Sequence, residues 1–155
     1  MRSSPSYERM RLFSHIRKDA VMPFIRTNVK QGTSQERIAA IVEGIHQALI
    51  EAIGMPSDEL FNLVSEYEPR LFFYDQRFNG ITRSDDLVVI EITMRRGRSD
   101  AMKRALYAGI ASRLAQVGID QRDLFIFMHE NDYSDWSVGN GVFAMAIVQQ
   151  RGADG

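Results

Sequence analysis

The chain reads as an α+β domain made from a duplicated β-α-β unit: a four-stranded sheet with two helices on one face and a C-terminal hairpin. Three observations lead there. A shift of 64 residues lays Gly54 on Gly118, Glu59 on Asp123, Leu60 on Leu124, Phe61 on Phe125 and Glu66 on Glu130. Two segments, near 35–53 and 99–117, carry apolar residues at helical spacing. Two strand-like runs, 23–29 and 87–93, fall on one another under the same shift.

The first strand is 23–29. Thr33-Ser34-Gln35-Glu36 has the composition of a capping box, and apolar residues follow at 38, 41, 42, 45, 49 and 53. Gly54 ends this helix and Pro56 prevents its return. A second strand lies at 60–67. Residues 69–86 form a long loop with a turn at Asn79-Gly80, and loops of that length tend to be functional or mobile. The third strand, 87–94, leads to a helix that starts near Ser99, keeps apolar residues at 102, 106, 110, 114 and 117, and stops at Gly118. Under the shift, Ile38, Val42, Ile50 and Ile53 fall on Met102, Leu106, Leu114 and Val117, and His46 falls on Ile110. The fourth strand is 123–129, and Gly139-Asn140-Gly141 marks a hairpin turn into a last strand at 142–148. Right-handed crossovers place both helices on one sheet face. The other face is left bare, so a homo-oligomer is expected.

Composition narrows the function. A chain of 155 residues, 45% hydrophobic, is enough for one core. Nineteen basic against twenty acidic residues give no charge surplus for nucleic acid or an anionic membrane. No apolar run approaches the roughly 18 residues needed to span a bilayer. The lack of cysteine excludes disulfides and thiolate chemistry, and it fits a cytoplasmic setting. His15, His46 and His129 lack metal-ligand spacing, and His46 reads as a packed helix residue. No metal or cofactor is expected.

Residues 1–21 stand apart, with Arg2, Arg9, Arg11, Arg17, Lys18 and four serines but no apolar h-region. They read as an N-terminal extension, either removed or never translated, since Arg17-Lys18-Asp19 can be encoded by a purine-rich ribosome-binding pattern ahead of Met22. A transit peptide is the alternative. Residues 22–148 form the single domain and 149–155 a flexible tail.

Met22-Pro23 at the head of the first strand carries the chemistry. If Met22 is the initiator, its removal leaves Pro23 with a secondary amine able to act as base, acid or iminium-forming nucleophile. If the leading segment stays, the same nitrogen is a tertiary amide without a proton. A duplicated unit with a local two-fold sets the start of the first strand against the end of the third, Met94-Arg95-Arg96-Gly97-Arg98. In extended chain Arg96 and Arg98 point to the same side, where they can fork onto a carboxylate and depress the amine's pKa. A solvated basic strand end is the plainer alternative. For Asp58 beside Glu59 an exposed acidic loop is the default reading, and Asp123 at the position of Glu59 keeps a structural role open. Trp136 fits packing as well as it fits a pocket wall.

Several motifs together resemble the tautomerase superfamily, and within it the malonate semialdehyde decarboxylase group. They are Pro after Met22, Gly54-x-Pro56 followed by Glu59, Arg96-x-Arg98-Ser99, and Glu130-Asn131-x-x-x-Asp135-Trp136-Ser137-x-Gly139-x-Gly141. The resemblance covers 22–148 and implies a homotrimer with an amino-terminal proline as the central group. It implies catalytic roles for Pro23, Arg96 and Arg98, and for Glu59 where the family has aspartate. It implies an apolar wall of Trp136 and Val138, the latter where an aromatic is common. Gly97 replaces a frequent proline between the arginines. The implied function is cofactor-independent chemistry on a small oxo acid. Decarboxylation and keto-enol tautomerisation both remain open, with a non-catalytic trimer binding a carboxylate or a protein as the rival if residues 1–21 are retained.

Overall fold

The computed structural model describes residues 23–144; the segments 1–22 and 145–155 lie outside the described residues. The elements are β1 (Phe24–Lys30), α1 (Gln35–Ile53), β2 (Asn62–Tyr67), β3 (Val88–Arg95), α2 (Asp100–Gln116) and β4 (Leu124–Asn131). The sheet order is β2-β1-β3-β4. β1 and β2 are parallel, as are β3 and β4, while the central pair β1 and β3 is antiparallel. Arg26 pairs with Glu91 and Thr27 with Ile90. A shift of 64 carries Arg26 to Ile90 and Thr27 to Glu91, so it exchanges these two adjacent pairs. A local two-fold therefore passes between β1 and β3, as the duplicated unit requires.

Both helices cover one face. Ile41, Ile45 and Leu49 of α1 and Leu106, Ile110 and Leu114 of α2 close over Ile25, Val29, Ile90, Ile92 and Met94. Each fully buried side chain of this kind contributes about 2 kcal/mol. α1 and α2 pack against each other, and at Gly44 an added Cβ would stand 3.0 Å from Leu114 Cδ1, a tight contact that glycine relieves. The helical repeat differs from the strand repeat. The N-caps Ser34 and Ser99, the buried pairs Ile41/Leu106, Ile45/Ile110 and Leu49/Leu114, and Gly44/Gly109 all match at 65, not 64. His46 therefore corresponds to Ala111 and not to Ile110. The caps also shift the expected helix start. Ser34 Oγ accepts from Arg37 N–H at 3.1 Å, while Thr33 Oγ1 is turned back to donate to Lys30 O, so the Thr33–Glu36 capping box does not form.

The sheet has two unlike ends. β1 enters, β2 begins, and β3 and β4 finish at one end, which gathers Pro23, Glu59, Arg96, Arg98 and Trp136. The loop 69–86 lies at the other. It holds two 3-10 turns, Pro69–Leu71 and Phe78–Gly80. Arg83 is buried within it and donates to Phe78 O and Ile81 O at 2.8 and 3.1 Å. This loop is heavily self-bonded and stands away from Pro23.

The uncovered face is rich in apolar surface. Leu63 is 47% exposed, and Phe125, Phe127 and His129 run along β4 with ring centroids 6.2 and 5.1 Å apart. The expected C-terminal hairpin is only half met. The turn forms, with Asn140 at φ 57 and Gly141 at φ 67, and Val142 N–H donates to Gly139 O. Val142 and Phe143 join no strand, however, because Ala144 N–H donates back to Trp136 O at 3.0 Å and the backbone at Ala144 is helical. The remainder, 145–148, lies outside the described residues. Among the described residues no helix is long and apolar enough to cross a membrane.

Candidate active site

Pro23 is buried at the mouth of β1. Ile25 N–H donates to Phe61 O at 3.0 Å, which draws the segment before β2 alongside the start of β1. Pro23 and Glu59 consequently line one tight crevice of about 10 Å³, together with Ile45, His46, Leu49 and Met55. The turn that carries Glu59 is built in steps. Gly54 takes φ 73 to end α1, Met55 is 2% exposed and anchors the chain, and Glu59 N–H donates to Pro56 O at 3.2 Å. His46 is packed in the helix as expected, but it also reaches this cleft. Its Nε2 lies 3.0 Å from Ser57 O, and a carbonyl can only accept, so the proton sits on Nε2.

The two arginines have different surroundings. β3 ends at Arg95 and Gly97, at φ 119, turns the chain, so the alternation expected to align Arg96 with Arg98 stops one residue early. Arg96 N–H donates to Asn131 O, and its Nε–H donates to Asp132 Oδ1 at 2.9 Å in a pair that is more than half exposed on both sides. Arg98 is half-buried, and burial first, then the neighbouring Arg95 cation, hold its guanidinium below the ordinary range. Arg95 lies over the buried Tyr133 ring, 4.5 Å from Cζ to centroid. The Nε atoms of Arg95 and Arg98 are buried without a hydrogen-bond partner among the described residues. Arg95 was not singled out from the sequence; its only signal was its place in the run Arg95-Arg96-x-Arg98. None of the three lines the cleft that holds Pro23 and Glu59. They stand just past it, since Phe24 pairs with Thr93 and the chain runs on through Met94 to Arg95.

Most of the long C-terminal motif is a lock on Trp136. Asn131 Oδ1 accepts from Trp136 Nε1 at 2.6 Å, and Asp135 Oδ2 accepts from Asp132 N–H at 2.9 Å to close the turn Tyr133–Asp135. Glu130 pairs with Lys103 of α2. Trp136 is thereby half-buried with its indole fixed, while Val138 is 57% exposed in the single chain. Among the described residues no group of three His, Cys, Asp or Glu is disposed to hold a metal. Taken together, this end of the sheet offers the Pro23 nitrogen, a carboxylate, a cluster of guanidiniums and an aromatic. Such a set can orient an anionic substrate and move a proton.

Two family models, each described as tautomerase enzyme, match residues 59–139 and 23–77. The probable tautomerase YusQ of Bacillus subtilis (strain 168) is 37% identical over 121 residues, covering 77% of this chain and 95% of the relative. Among solved structures, FG41 malonate semialdehyde decarboxylase inhibited by 3-bromopropiolate is 28% identical with a TM-score of 0.74, covering 84% of this chain and 96% of that one. The F6 fused 4-OT asymmetric trimer is 27% identical with a TM-score of 0.67, covering 80% and 98%.

Proposed function

Because the chain belongs to the tautomerase family, we propose that it is a cofactor-independent enzyme that acts on small oxo acids through Pro23. Its main reaction in this reading is decarboxylation of malonate semialdehyde to acetaldehyde and carbon dioxide. The observation that carries the proposal is the meeting of Pro23 and Glu59 in one cleft, beside the strand end that releases Arg96 and Arg98.

The proposed active form starts at Pro23, with residues 1–22 removed or never made, so that the nitrogen is a secondary amine. Arg98 binds the substrate carboxylate and polarises the 3-oxo group. Arg96 joins it by exchanging Asp132 for substrate, which costs little because that pair is solvent-exposed. The bond between carboxylate carbon and C2 breaks, its electron pair moves to C2 and onto the oxo oxygen, and C2 then takes a proton. Cationic Pro23 stabilises the developing enolate by hydrogen bond. In the covalent variant neutral Pro23 first condenses with the oxo carbon with loss of water, the iminium takes the pair as an enamine, and after protonation at C2 water returns to release the aldehyde. Glu59 orients the amine or a water. Trp136 and Val138 keep the site poorly solvated, which favours loss of a charged carboxylate as neutral carbon dioxide.

The similarity to a relative named as a tautomerase favours a second reading on the same residues. There neutral Pro23 carries a proton between carbon and oxygen of a 2-oxo acid, and the arginines hold the dienol. The proposed assembly is a homotrimer that covers the bare sheet face. The exposed Phe61 and Leu63 and the trimeric neighbour support it.

The test uses the chain beginning at Pro23 and its P23A variant, assayed with malonate semialdehyde and with phenylenolpyruvate. The expected result is faster turnover of malonate semialdehyde, with both activities lost at least about 100-fold in P23A. Equal rates in parent and variant would overturn the proline mechanism.

A further inference from the structure

We infer that His46 is a positioning residue for Glu59: it ties the turn 56–59 to α1 and so sets the carboxylate against Pro23. The inference rests on the reading of Pro23 and Glu59 proposed above. His46 sits on the buried side of α1 between Ile45, Ala48 and Leu49, only 7% exposed. A polar ring there is unfavourable unless it is hydrogen-bonded, and its bond is the one from Nε2 to Ser57 O at 3.0 Å. That carbonyl belongs to the second residue of the turn that Glu59 closes.

His46 acts on the middle of this turn. Its ends are fixed by buried Met55 and by the bond from Ile25 N–H to Phe61 O. Between them Ser57 and Asp58 are exposed, and the closing bond from Glu59 N–H to Pro56 O is long at 3.2 Å. His46 is the side chain that grips the middle from inside. The other repeat does without it: Ala111 stands in the place of His46, and Asp123 in the place of Glu59 binds Ser84 directly. A displacement of about 1 Å at such a site lowers turnover on the order of 100-fold.

The experiment measures kcat, KM and melting temperature of the chain beginning at Pro23, carrying H46L, H46Q, E59Q and E59Q/H46L. A glutamine amide reaches the position of Nε2, whereas leucine offers no donor. H46L is expected to lose about 10- to 100-fold in kcat with KM little changed, and H46Q to stay within about 3-fold of the parent. The double variant should be no slower than E59Q alone, because His46 acts through Glu59. Where H46L does not fold, H46N takes its place, since its shorter amide mimics Nδ1 and falls short of Ser57. Losses that multiply in the double variant would overturn the inference, as would an unimpaired H46L beside an impaired E59Q. E59Q at full activity would instead remove the underlying reading of Glu59.

Discussion

At one end of the sheet Asp123 accepts from Ser84 N–H at 2.8 Å and from Ser84 Oγ at 2.6 Å; at the other, its counterpart Glu59 shares a cleft with Pro23. The shift of 64 that relates the strands makes Leu87 the counterpart of Pro23 and Ala20 the counterpart of Ser84. In the second repeat, residues 84–86 lead the chain into β3, and the acid fastens them there. In the first, the proposed active form begins at Pro23 and leaves that place empty, so that in this reading the acid faces an amine. One carboxylate position thus serves structure in the second repeat and, in the proposed reading, chemistry in the first. A larger cavity of about 440 Å³ opens at the Leu87 end, lined by Lys30, Ser34, Arg37 and Asp86. It holds no proline at a strand start, so in the proposed reading volume does not mark the reactive end.

The comparison can be broken by substitution. The largest effect is expected at the amine: P23A should lower kcat/KM about 1,000-fold while leaving the melting temperature of the chain beginning at Pro23 nearly unchanged. R98A should cost about 3 kcal/mol in kcat/KM for a carboxylate substrate, since it removes a half-buried cation; a parental value would take Arg98 out of the site.

The sharpest contrast is between the two acids. E59Q should reduce kcat about 100-fold with little loss of stability. D123N should do the reverse, losing roughly 2 kcal/mol of unfolding free energy because two donors on Ser84 face a weaker acceptor, with kcat unaffected. Denaturant melts and steady-state assays on the same samples would show whether the effects separate; a D123N variant impaired in kcat would contradict the division. The smallest effect is expected at R96A, about 1–2 kcal/mol in kcat/KM, because Arg96 is exposed and already shared with Asp132.

Much of the fold was legible because repetition and periodicity are local signals. The strands, the glycine stops at Gly54 and Gly118, and the one-sided helices all follow from spacing. The finer repeat was not: matching the helices at 64 hid the 65-residue relation, which appears only when the buried side of each helix is known. The capping box failed because Thr33 has a competing backbone carbonyl within reach at Lys30. At the candidate site, Pro23 and Glu59 are read from sequence motifs and meet in space. The arginines were harder, since the alternation rule holds only while the strand lasts, and Gly97 ends it. His46 was legible as a packed residue but not as a neighbour of the cleft, because its bond to Ser57 depends on where the turn folds back.

The account stands on an unblocked nitrogen at Pro23. The most direct measurement is kcat/KM with malonate semialdehyde for two preparations verified by intact mass: one beginning at Pro23 and one retaining residues 1–22. The account predicts turnover in the first and a loss of at least about 100-fold in the second. Equal kcat/KM in the two would contradict it.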